Sequence, residues 1–401
     1  MEQIRNFDQL LQAALAHGRK GIAVAAPYDK NTLLAVKDAL ASGLAAPQLF
    51  GDVERMLPLL EQVQLDAGAV KLTDVRDTAQ AIDAAIESIR SGENQILMKG
   101  TVSTGTLLKH ALDRTRGLNI GRLASHLIVL QIPGLDRLLI STDGGLNIAP
   151  TLTEKADILR NAIDVARALG IETPKAACLA AVETVNPKMQ ATVDAACLCK
   201  MADRGAFPGA VVEGPLAMDN ILSAEAARKK GIDSPVPGHA DIILAPSIEV
   251  ANTFSKTLNY LMHSSNAGIV MGAAAPIILP SRARRPGVQV CLPGHGRAAG
   301  QVKNSAKALS QTQSTPGASP GGALYFCPAL SRVCPGGVPP CSGTVRGGFT
   351  AGRRCPPPRP GHRPASGRGS AAWGAAAGGC APPARRTAGT SPDTGAPRPH
   401  P

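Results

Sequence analysis

The sequence predicts an α/β protein: two three-layer α/β/α lobes with mostly parallel sheets and a cleft between them. Short apolar runs alternate with amphipathic helical stretches, the pattern of parallel strands buried on both faces. There are too many such runs for one five-stranded sheet, which puts a boundary near residue 140 and gives lobes 1–140 and 141–283. Composition then changes abruptly. Residues 284–401 hold 15 of the 42 Lys and Arg but one of the 30 acids, Asp393, together with 21 of 42 Gly and 19 of 33 Pro. That Gly and Pro content is too high for a packed domain and reads as a disordered basic tail.

The elements follow in order. Residues 21–27 form an apolar run ending at Pro27, then 31–40 carry Leu33, Leu34, Val36, Ala39 and Leu40 near the helical period. Residues 46–50 and 95–98 are further strands, the latter opening onto Lys99 and Gly100. Later strands are expected at 127–130, 138–141, 176–182, 209–212, 241–244 and 268–271. Residues 153–169 make the best helix, with Thr153 as its cap, Glu154 in the first turn and Gly170 as its stop.

The formal charge of +12 points to anionic partners, but the tail carries +14 and residues 1–283 carry −2, and aromatic residues are only 2% of the chain. Specific nucleic-acid binding is therefore not expected. No apolar run reaches the length of about 18 residues needed to cross a bilayer, and the N-terminus has no secretory leader pattern. The body has only Cys178, Cys197 and Cys199, consistent with a reducing, cytoplasmic setting. Cys197 and Cys199 have the wrong spacing for a zinc knuckle, and no metal is expected.

Ligands in such folds sit outside the carboxyl ends of strands. Lys99, Gly100, Thr101, Ser103, Thr104 and Thr106 follow a strand and enter a helix, where hydroxyls and amides can hold an anion. Thr106 stands where a P-loop has Lys, so nucleotide hydrolysis is not expected. An ordinary glycine turn has the same pattern. Ser141, Thr142, Asp143, Asn147, Glu213, Asp219 and the pair Ser281-Arg282 are the other polar groups at strand ends, each readable as a turn. His126 reads as a core or cap histidine.

Taken together, several segments resemble the phosphate acetyl/butyryl transferases. They are Ile96–Gly100, Leu107-Leu108-Lys109, Gly121–His126, Asp136–Leu139, Thr142-Asp143 with Asn147, Asn186–Met189, Lys200–Gly205, Glu213–Asp219, Ala240–Pro246 and Ser281-Arg282-Ala283. The resemblance spans residues 1–283 and is closest to the butyryl branch. It implies an isocitrate dehydrogenase-like fold, a homodimer or larger assembly, acyl-CoA and phosphate as substrates, and no permanently bound cofactor. It also implies Ser281 and Arg282 as catalytic groups, with Lys99, Gly100, Thr101, Thr104, Lys109, Asp143 and Asn147 binding substrate or phosphate. Lys109 replaces an Arg of the family.

The family's carboxylate, six or seven residues after the Ser-Arg pair, is missing: Gly287 and Val288 occupy those positions. Reading the codons from Arg284 onward one nucleotide later permits Glu at 287, followed by an amphipathic helical segment. Residues 284–401 are thus expected to be an out-of-frame translation, and this chain to be impaired. The alternative function is a metal- and nicotinamide-dependent dehydrogenase on the related fold, which needs a carboxylate cluster that Asp143, Glu213 and Asp219 do not form in sequence.

Overall fold

The computed structural model describes residues 2–280. The tail, and with it Ser281 and Arg282, lies outside the described residues. Helix α1 (Phe7–Ala16) precedes β1 (Lys20–Ala25), α2 (Lys30–Ala41), β2 (Ala45–Gly51), α3 (Val53–Gln62), β3 (Lys71–Asp74), α4 (Thr78–Arg90), β4 (Ile96–Lys99) and α5 (Thr104–Ala111). A hairpin, β5 (Ser125–Gln131) and β6 (Leu138–Thr142), leads to α6 (Leu152–Ala168), β7 (Lys175–Leu179), α7 (Gln190–Asp203) and β8 (Val211–Leu216). The short helices α8 (Met218–Leu222) and α9 (Ala224–Lys229), then β9 (Ile242–Leu244), α10 (Ile248–Leu261), β10 (Ser265–Met271) and β11 (Ile277–Ile278), complete the described chain.

All strands join one 11-stranded sheet in the order β3-β2-β1-β4-β11-β10-β5-β6-β9-β7-β8. Pairing is parallel from β3 to β11 and again from β6 to β8. Antiparallel pairing links β11 to β10, β10 to β5 and β5 to β6. The parallel strands of the two halves therefore run in opposite directions. Their following loops open on opposite edges of the sheet.

Side chains alternate across each strand, so both faces need covering. Ile22 and Val24 of β1 pack with Leu33 and Val36 of α2 and Met56 and Leu60 of α3. On the other face Ala23 and Ala25 meet Ile82 and Ile86 of α4 and Leu107 of α5. In the second half Leu127, Val129 and Ile140 pack against Ile158, Leu159 and Ile163 of α6. Leu130, Leu139 and Ile243 lie under α8 and α10 on the opposite face. Each half has three layers.

One cap differs from the sequence expectation. Thr151, not Thr153, starts α6, because its hydroxyl accepts from Glu154 N while the Glu154 side chain returns to Thr151 N. This reciprocal box satisfies two amides that would otherwise lack partners.

Candidate active site

Strand order creates two crevices. β1 runs into α2 on one face of the sheet and its neighbour β4 into α5 on the other. The loops after them, residues 26–29 and 100–103, lead to helices on opposite faces, and the crevice at such a switch point is the usual ligand position in wound sheets. The same divergence occurs between β6, followed by α6, and β9, followed by α10. There the loops that follow the two strands begin at Asp143 and at Ala245.

At the first crevice the loop after β4 lies hard against the end of β1. Gly100 N donates to Ala25 O at 2.9 Å and Thr101 N to Ala26 O at 2.8 Å. A Cβ at Gly100 would stand 2.2 Å from Ala26 O and 2.4 Å from Ala25 O, so only glycine fits. Buried Lys99 turns its ammonium onto the same loop, donating to Gly100 O at 3.0 Å and Val102 O at 3.1 Å. Thr101 Oγ1 donates to Asp29 Oδ2 at 3.0 Å. Asp29 is also the cap of α2, accepting from Thr32 N and Thr32 Oγ1. Burial pushes the Asp29 carboxyl up, but the hydrogen bonds from Thr32 and Thr101 and the Lys99 charge outweigh it and hold the group below its ordinary value.

Ser103 caps α5 through Thr106 N at 3.0 Å. Thr104 opens that helix, whose N-terminal turn carries amides outside the intrahelical ladder and the positive end of the helix dipole. Lys109 is exposed in its last turn. β11 brings Ile278 beside Met98, and Leu279 and Pro280 continue toward the Lys99 edge. Ser281 follows directly in sequence.

The second crevice is built differently. Buried Asp143 accepts five hydrogen bonds, from His126 N, Gly145 N, Leu146 N, Asn147 N and Asn147 Nδ2, at 2.6–3.3 Å. Asn147 Nδ2 also reaches Ala124 O at 2.9 Å. Asn252 of α10 donates to Gly144 O, tying the loop to the neighbouring helix. His126 is wedged between Gly145 and Gly268, each of which would place a Cβ within 3 Å of its ring. Burial pushes its imidazole below the ordinary value, against the raising effect of the Asp143 charge.

The structure therefore gathers Lys99, Gly100, Thr101 and Thr104 on one edge and sets Asp143 and Asn147 on another. Three strands separate β4 from β6, or about 19 Å at the usual strand spacing. Asp29 escaped the sequence reading, although an Asp three residues before Thr32 at a helix start carries the pattern of a cap. Among the described residues, no three His, Cys, Asp or Glu side chains group as a metal ion requires, and no helix is long and apolar enough to cross a membrane.

A doubly wound sheet with an anion-ready loop at its switch point defines a class of binding folds for phosphorylated ligands. Comparison with known proteins narrows it. Residues 75–286 match the family model described as phosphate acetyl/butaryl transferase. The chain is 42% identical to a phosphate butyryltransferase of Clostridium beijerinckii over 279 residues, 70% of this chain and 92% of that protein. It is 41% identical to a phosphate acetyltransferase of Rhizobium meliloti over 281 residues, 70% of this chain and 89% of the other. A branched-chain phosphotransacylase from Enterococcus faecalis superposes with a TM-score of 0.58 at 31% identity, covering 66% of this chain and 93% of that one. The chain belongs to the phosphate acetyl/butyryl transferase family.

Proposed function

We propose that the protein moves a short-chain acyl group, butyryl or acetyl, between coenzyme A and inorganic phosphate. The observation that carries this reading is the identity to a phosphate butyryltransferase over 92% of its length. In the forward direction a phosphate oxygen attacks the thioester carbonyl, the C–S bond breaks, and the thiolate leaves and takes up a proton. The first turn of α5 and the Thr104 hydroxyl supply donors for phosphate, on a loop that Lys99 and Gly100 hold in shape. Lys109 adds a cation further along the same helix. Arg282 grips the acyl phosphate and Ser281 stabilises developing negative charge, as preorganised donors do in acyl transfer. Asp143 and Asn147 enter by fixing the loop of the second crevice.

In the reverse direction the coenzyme A thiol must lose its proton, and with a free pKa of about 8.5 only a few per cent is thiolate at neutral pH. The carboxylate that the family places after its Ser-Arg pair is Gly287 or Val288 here. This chain is accordingly slow, with residues 284–401 an out-of-frame translation. The same reading includes two lobes meeting at residue 140, a dimer or larger assembly, and a cytoplasmic enzyme with coenzyme A as substrate.

The test compares this chain with a version whose reading frame is restored after Ala283. Phosphate-dependent thiol release from acetyl- and butyryl-CoA is expected to be strong only in the restored protein. Equal rates in both would refute the role given to the missing carboxylate, and no release from either would refute acyl transfer.

A further inference from the structure

We propose that Asp29 and Thr101 form a positioning pair that pins the loop after β4 and keeps the Thr101 proton away from the bound anion. The inference deepens the acyltransferase reading and rests on it for the identity of the anion.

A hydroxyl has one proton to give. Thr101 Oγ1 gives it to Asp29 Oδ2 at 3.0 Å. An ionised carboxylate and a phosphate oxygen are both acceptors, so Thr101 can serve one of them but not both at once. Asp29 is a fixed acceptor, because Thr32 N at 2.9 Å and Thr32 Oγ1 at 2.7 Å hold it at the start of α2. Its depressed pKa keeps the acceptor ionised at neutral pH. The Thr101 amide is committed as well, to Ala26 O at 2.8 Å. Backbone and side chain of Thr101 thus both face the end of β1. The donors that remain for an anion belong to the first turn of α5 and to Thr104. Thr101 acts by position, and Asp29, an acid at an anion site, is there to hold it.

Three variants of the full chain test this. Thr101→Val cuts the clamp without touching the α2 cap. It is expected to raise amide hydrogen exchange across residues 100–107 and to weaken inorganic phosphate binding, read by titration calorimetry, about tenfold. Where turnover is measurable, the phosphate KM should rise more than kcat falls. Thr101→Ser is expected to restore both readouts. Asp29→Asn reverses the bond: its amide Nδ2 donates to Thr101 Oγ1, the clamp holds, and the freed Thr101 proton tightens phosphate binding. That gain should vanish in the Asp29→Asn, Thr101→Val double variant.

Unchanged exchange and phosphate binding in Thr101→Val would overturn the pair. So would a wild-type chain that binds no phosphate, or Asp29→Asn binding more weakly than wild type. If Thr101→Val fails to fold, Thr101→Ser and Asp29→Asn decide. Absence of acyl transfer from the frame-restored protein, alongside the expected exchange and phosphate pattern, would refute the function proposed above and leave the pair standing.

Discussion

The two crevices are products of one topological rule, yet their acidic residues do opposite things. At the first, Asp29 accepts from the start of α2 and from the loop after β4. At the second, Asp143 is filled by five donors from its own surroundings. A carboxylate at a switch point is thus a clamp between two segments in one case, and in the other the keystone of a turn that one further donor, His126 N, ties to β5. The partners decide, not the position after a strand.

The largest expected effect breaks the second crevice. Asp143→Ala leaves several buried donors unsatisfied and should lower unfolding free energy by about 4 kcal/mol in urea titration. A loss below about 1 kcal/mol would mean that the turn does not depend on its keystone. The first crevice should fail in function before it fails in stability. Gly100→Ala must push the loop off β1 and should reduce phosphate-dependent acyl transfer, measured in the frame-restored protein, by about 100-fold or more. Wild-type rates would show that the loop need not lie against the Ala25 and Ala26 carbonyls.

Acid should separate the two regions. His126 has a lowered folded pKa, so the unfolded chain takes up the proton first and stability falls as pH drops below about 6.5. Asp29 also has a lowered folded pKa, but its contribution is fully present above the usual 3.8 and is lost only at lower pH. Between pH 7 and 5, intrinsic-rate-corrected hydrogen exchange should increase at residues 143–148 and stay constant at 99–103. His126→Gln should abolish the difference. The smallest effect is a control outside both crevices: Thr151→Ala should remove the α6 cap at a cost of about 1 kcal/mol in the same urea titration, with no change in phosphate binding.

The sequence made some of this plain. β1, β4, β6 and β9 are apolar runs buried on both faces, and the loop at Lys99 and Gly100 announced itself by its glycines and hydroxyls. β3 was silent because its four residues, Lys71–Asp74, lie on the sheet edge and none is fully buried. β11 showed only as an apolar strand end before Ser281-Arg282, because two residues carry no period. The opposed directions of the two halves were equally hidden, since apolar alternation records which face is covered and not which neighbour a strand pairs with. The role of Asp143 was invisible for a related reason: four of its five donors are backbone amides, which every sequence has.

The two-residue strand β11 also has a consequence for synthesis. It fills the place between β4 and β10, and its Ile278 pairs with Met98, about 180 residues earlier in the chain. At roughly 5–20 residues per second, β4 waits on the order of 10–40 s on the ribosome with one flank unpaired. An open, apolar strand edge is a template for pairing with other chains. The emerging protein therefore passes through an interval in which its first half is assembled but unsealed, and chaperone demand should peak there. Sealing comes only with the last few residues before Ser281.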